Sequence, residues 1–77
     1  MPHVVVKICP GNSQQEKVQL AEKIVKDVFG ILSCAEKYFS VAVEEVRPDE
    51  WTERVFKPEI AANWDQLYIK PGYRPLE

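Results

Sequence analysis

The apolar positions of the chain change period twice, and each change marks an element. Val4-Val5-Val6-Lys7-Ile8 is a β-branched run, and it predicts a strand over residues 2–8. Side chains alternate along a strand, so Val4, Val6 and Ile8 share one face and Val5 and Cys9 the other. Both faces are therefore partly apolar. Cys9-Pro10-Gly11-Asn12 then reads as a turn. Ser13, with Glu16 three residues later, has the form of a capping box. Beyond it Val18, Ala21, Val25, Val28 and Leu32 recur at helical spacing, widened by Leu20, Ile24 and Ile31. This predicts a helix over about 14–32, with Gly30 weakening its last turn. Tyr38 to Val46 reads as a second strand, with Phe39, Val41, Val43 and Val46 as its apolar members.

After Arg47 the pattern shortens. A helical turn is predicted near 49–56. Pro58 is expected to interrupt it. A second helix should then run to about Tyr68, on a stripe of Ile60, Ala61, Trp64, Leu67 and Tyr68. Lys70-Pro71-Gly72-Tyr73 carries the Pro-Gly pair of a type II turn.

Strand, long helix and strand make a β-α-β unit, whose crossover sets the strands parallel and is almost always right-handed. The predicted class is α/β (α+β): one β-α-β unit with a C-terminal helix. Two strands and one helix do not close a core, since about three strands are needed for independent stability. The helix covers one sheet face; the other must meet the C-terminal helix or another subunit. A dimer or higher oligomer that completes the sheet is therefore expected.

Length adds weight to that expectation. Seventy-seven residues form one small domain, 1–77, and a chain of that size is marginal alone. Two cysteines, Cys9 and Cys34, make no disulfide framework, and no signal peptide is read ahead of them. His3 is the only histidine and no paired metal-ligand spacing occurs, so no metal or other cofactor is expected. Ten Lys and Arg stand against twelve Asp and Glu, and the basic residues are scattered. That argues against nucleic acid as a partner. No apolar run is long enough to span a bilayer. The expectation is a soluble cytoplasmic domain with reduced thiols, in which one or two local basic groups would suffice for a small anionic ligand.

The residue with most chemistry is Pro2. Removal of Met1 would leave a proline with a free secondary amine, a group no other residue type supplies. An α-amino group has an unperturbed pKa of roughly 7.7–8.0, which an apolar pocket lowers. Such a nitrogen can move protons near neutral pH without a histidine or metal. With Met1 retained it is an amide and carries no basic lone pair. The strand that begins beside it would tie this terminus down.

Pro2-His3-Val4, the capped helix after a short Gly turn, and Val41-Ala42-Val43-Glu44-Glu45-Val46 together resemble the 4-oxalocrotonate tautomerase family. Within it they resemble the PptA-type members, as do Pro48-Asp49-Glu50-Trp51, Glu59-Ile60-Ala61 and Lys70-Pro71-Gly72-Tyr73. The resemblance covers nearly the whole chain, and its specificity lies in the combination. It implies a tautomerase-like (MIF-like) protomer that dimerises through its sheet. It also implies an isomerase that moves a proton between enol and keto forms of a small α-keto acid, such as a phenylpyruvate-like one. Pro2 carries over as the general base and acid. Trp51 falls at an aromatic pocket wall, and Cys9 in a turn whose backbone amide helps hold substrate.

Two positions depart from the family's pattern: Asn12 and Ser40 stand where well-known members have arginines that bind and polarise the substrate. That bears against the namesake's dicarboxylate substrate and removes an electrophilic helper. Phe39, Trp51 and Trp64 fit a more apolar pocket. The enolate would then rely on amides near Cys9, the Ser40 hydroxyl, Arg47 or Arg54. The expected pocket is Trp51, Ser40, Phe39, Cys9 and His3 around Pro2. Trp51 reads equally well as core, and Trp64 better as core or interface. The alternative function is a non-catalytic ligand-binding or interaction dimer on the same scaffold.

Overall fold

A computed structural model describes residues 1–74. The chain forms two compact units, Met1–Glu45 and Val46–Glu77. The first contains strand β1 (His3–Ile8), helix α1 (Gln14–Ile31), a 3₁₀ turn (Glu36–Tyr38) and strand β2 (Ser40–Glu45). The strands are parallel and in strict register, from His3 opposite Ser40 to Ile8 opposite Glu45. The predicted β-α-β unit is thus present. Strand β2 starts two residues later than the pattern suggests, because the 3₁₀ turn takes up residues 36–38 before the chain extends.

Local chemistry sets the limits of α1. Gly11 has φ 134°, a region that β-carbons disfavour, and this lets the chain turn out of β1. The capping box then forms in full. The Glu16 N–H donates to the Ser13 hydroxyl at 3.1 Å, and the Ser13 N–H donates to Glu16 Oε1 at 2.9 Å. At the other end Leu32 leaves the helix in extended geometry, its N–H donating to Val28 at 2.8 Å. Two contacts fasten α1 to β2 and its approach. Lys17 Nζ pairs with Glu45 Oε2 at 2.9 Å, and Phe29 meets Phe39 edge-on at 6.3 Å.

The second unit is helical but irregular. Helix α2 (Pro48–Trp51) starts with proline at its first position, where no N–H is needed. It runs straight into a π-helix, Thr52–Ile60, and then a 3₁₀ turn, Ala61–Gln66. The expected break at Pro58 does not occur. A proline lacks the N–H of the α-helical ladder and crowds the preceding turn. The wider π turn takes both effects into a continuous helix, and the Ala61 N–H beyond it reaches Lys57 and Phe56 carbonyls together. The helix does not reach Tyr68. Asn63 leaves helical geometry, the last turn closes at Gln66, and Tyr68 and Ile69 are exposed. Nor does Pro71-Gly72 form a type II turn, since Gly72 lacks the positive φ that turn requires.

Among the described residues, Val46, Val55 and Phe56 are the buried ones, and all belong to the second unit. Tyr73 folds back within it, 5.8 Å from Phe56 ring to ring, and accepts a 2.9 Å hydrogen bond from Trp51 Nε1. No helix among the described residues is long and apolar enough to cross a membrane.

Candidate active site

Pro2 stands one residue ahead of β1, and its carbonyl accepts a hydrogen bond from the Ser40 N–H at 3.2 Å. Pro2 lines an apolar recess between sheet and helix that is too tight to admit a water. Val4 and Val41 contribute the strand side, and Ile24, Val25 and Val28 the helix side. Phe39 and Ser40 complete the lining. The alternation of β1 puts Val4 there, and the three-and-four spacing of the α1 stripe brings Ile24, Val25 and Val28 to the same place. A wider groove of about 480 Å³ lies alongside, between α1 and the start of β2. It shares Val25, Phe39, Ser40 and Val41 with the recess and has Glu22, Lys26 and Glu36 in its lining.

The opposite sheet face has a different character. His3 and Ser40 are cross-strand partners, and Nδ1 of the imidazole lies 2.6 Å from the Ser40 hydroxyl. The direction of that bond follows the imidazole tautomer. Next along the ladder come Val5 opposite Ala42, then Lys7 opposite Glu44 with Nζ and Oε2 at 3.9 Å. Val5 keeps 43% of its surface exposed.

Of the residues expected at the site, the structure gathers Pro2, His3, Phe39 and Ser40 at one end of the sheet. Cys9 is exposed and lies past the other end of β1. Six strand residues span roughly 20 Å, so Cys9 does not reach the Pro2 of its own protomer. Trp51 belongs to the second unit, where Tyr73 takes its indole N–H. Trp64 is flanked there by cations, Arg74 at 4.7 Å and Lys70 at 5.9 Å from its ring. Arg47 and Arg54 pair with Asp49 and Glu50 on their own helix, at 2.7 and 3.7 Å. Residues that reading the sequence did not assign to the site are Ile24, Val25 and Val28. Their helical stripe was legible as core; Ile24 and Val28 pack beside Pro2, and Val25 also reaches the open groove.

Hydrogen bonds from the Ser13 backbone and then the Ser13 side chain hold the Glu16 carboxyl below its ordinary pKa; burial opposes them, and the Asn12 side chain adds the smallest contribution.

No protein-family model matches the chain. Individual relatives do. It is 37% identical to a probable tautomerase of Xylella fastidiosa over 99% of this chain and 93% of that protein. It is 38% identical to tautomerase PptA of Cronobacter sakazakii over 95% of this chain and 97% of the relative. Among solved structures, YwhB, a homologue of 4-oxalocrotonate tautomerase, superposes with a TM-score of 0.61 at 33% identity, over 62% of this chain and 79% of that one. The chain belongs to the 4-oxalocrotonate tautomerase family and, with it, to the isomerases that interconvert keto and enol forms.

Proposed function

We propose that the chain is a keto–enol tautomerase whose base is the Pro2 nitrogen, freed by removal of Met1, and whose substrate is a small enol or α-keto acid of phenylpyruvate type. Residues 1–77 act as one tautomerase domain within a homodimer. The observation that carries this reading is Pro2 itself: it heads a strand, its carbonyl is held, and it borders an apolar recess. Met1 is 95% exposed, so an aminopeptidase can reach it. The free cysteines Cys9 and Cys34 suit a reducing setting such as the cytoplasm.

The chemistry is a 1,3-proton transfer. The neutral proline nitrogen takes the enol hydroxyl proton, forming prolinium and an enolate. The prolinium N–H then protonates carbon, the C=O forms, and the nitrogen is neutral again. An apolar surround favours the neutral amine at rest. A well-placed acid–base group contributes roughly 10²–10⁴-fold. The adjoining groove, walled by Val25, Phe39 and Val41, has room for an aromatic side chain of the substrate, and Lys26, which lines it together with Glu22 and Glu36, offers a cation for the carboxylate.

The bareness of the first unit, where no described residue is buried and Val5 keeps 43% of its surface exposed, supports the dimer in this reading. The test is the rate of phenylpyruvate enol-to-keto conversion by protein whose intact mass lacks Met1. Pro2→Ala should lose at least two orders of magnitude with the fold retained. Equal rates in the two proteins would refute the proline mechanism, as would full activity in protein that keeps Met1.

A further inference from the structure

Ser40 grips the start of the chain at two points. Its backbone N–H holds the Pro2 carbonyl at 3.2 Å. Its side-chain hydroxyl lies 2.6 Å from Nδ1 of His3, the residue directly across the ladder. A hydroxyl both donates and accepts, so this second bond forms with either imidazole tautomer. One residue thereby holds the Pro2 carbonyl and the side chain of the residue that follows it.

That matters because Pro2 lies outside β1. Loss of Met1 would make it the terminal residue, joined to the protein only through His3. Terminal residues fray unless something ties them down. A proton-transfer base must hold its lone pair on the substrate, and displacement by about 1 Å can cost on the order of a hundredfold in rate. His3 and Ser40 are the last pair of the ladder, with no further pair beyond them to hold the end closed. The His3–Ser40 side-chain bond adds a second tie to that end pair.

We propose that Ser40, acting through His3, is a positioning residue that clamps the amino terminus so that the Pro2 nitrogen keeps a fixed place beside the groove that Ser40 and Phe39 also line. The inference rests on the proline-based reading above. Position 40 carries an arginine in well-known family members; in this chain its side chain acts on the base rather than on the substrate.

Four variants in Met1-free protein test it, each assayed with phenylpyruvate enol and checked for fold by circular dichroism. Ser40→Ala and His3→Leu remove the bond. They should lower kcat by about ten- to a hundredfold, leave KM within about twofold, and broaden the Pro2 nitrogen NMR signal. Ser40→Thr keeps the hydroxyl and His3→Asn keeps a polar atom near the Nδ1 position; both should recover most of kcat and the sharp signal. Wild-type kcat in Ser40→Ala would overturn the clamp. So would a rise in KM alone, which would make Ser40 a substrate contact. Pro2→Ala is the reference. If it stays fully active, the proline reading fails whatever Ser40 does. If it is inactive while Ser40→Ala matches wild type, the clamp alone fails.

Discussion

The two units solve opposite halves of the folding problem. Met1–Glu45 has regular secondary structure: an in-register parallel pair, a capped helix and a crossover between them. None of its described residues is buried. The unit from Val46 onward has irregular secondary structure, an α-turn passing through π geometry into 3₁₀, yet it holds Val46, Val55 and Phe56, the buried residues. Regularity and burial are therefore separable. Hydrogen bonding and capping shape the first unit, and its apolar surface still seeks cover. Apolar burial shapes the second, and its backbone bends to allow it.

The sharpest way to break that contrast is at Phe56. Phe56→Ala should destabilise the protein by about 3–5 kcal/mol, as for other buried phenylalanines. A chain of this size has only about 4–12 kcal/mol in hand. Urea titration followed by tryptophan fluorescence would read the loss, since Trp51 and Trp64 both lie in this unit. A loss below about 1 kcal/mol would mean that the buried cluster is not what holds it together.

Next in size is a charge on the bare sheet face. Val5 is exposed beside Ala42 in the isolated protomer, and the proposed dimer gives it cover. Val5→Lys should weaken self-association by about ten- to a hundredfold, because the ammonium would lose water without gaining a partner. Sedimentation over a dilution series measures this. An unchanged dissociation constant would show that the first unit gains its cover elsewhere.

The same contrast explains what could be read from sequence. Elements with a short-range cause were legible: the β-branched run of β1, the Ser13–Glu16 box and the α1 stripe all declare themselves within a few residues. Pro58 was misleading because its cost depends on hydrogen-bond geometry several residues away. A π turn accepts what an α turn does not. Tyr68 carried a helical spacing that Asn63 ends. For the site, Pro2 and its neighbour Ser40 were legible as candidates. The pairing of Ser40 with His3 required the strand register, a long-range fact. Trp51 carried no local sign that its indole N–H would go to Tyr73, more than twenty residues on.

A smaller effect is expected where the first unit is held by capping alone. Ser13→Ala removes the acceptor for the Glu16 N–H and should cost about 1 kcal/mol, within the usual range for lost caps. Helix-band circular dichroism on heating would follow it. Ser13→Gly should cost less, because glycine tolerates the cap position and leaves the amide open to water.

The smallest effect is a pH dependence, and its sign follows from the same box. Hydrogen bonds from Ser13 and Asn12 lower the Glu16 pKa in the folded chain. The unfolded chain then binds this proton more readily than the folded one, so acid favours unfolding. The stabilising contribution is fully present above the ordinary glutamate pKa of about 4.3 and is lost as pH falls through the lower folded value. Melting temperature measured from pH 6 down to pH 3 should fall, and Glu16→Gln should flatten part of that fall. Asn12→Ala offers the finer test, because the Asn12 side chain contributes least to the lowered pKa. It should raise the Glu16 pKa less than Ser13→Ala does. Were the two shifts equal, the amide at position 12 would be as much a part of the cap as the serine.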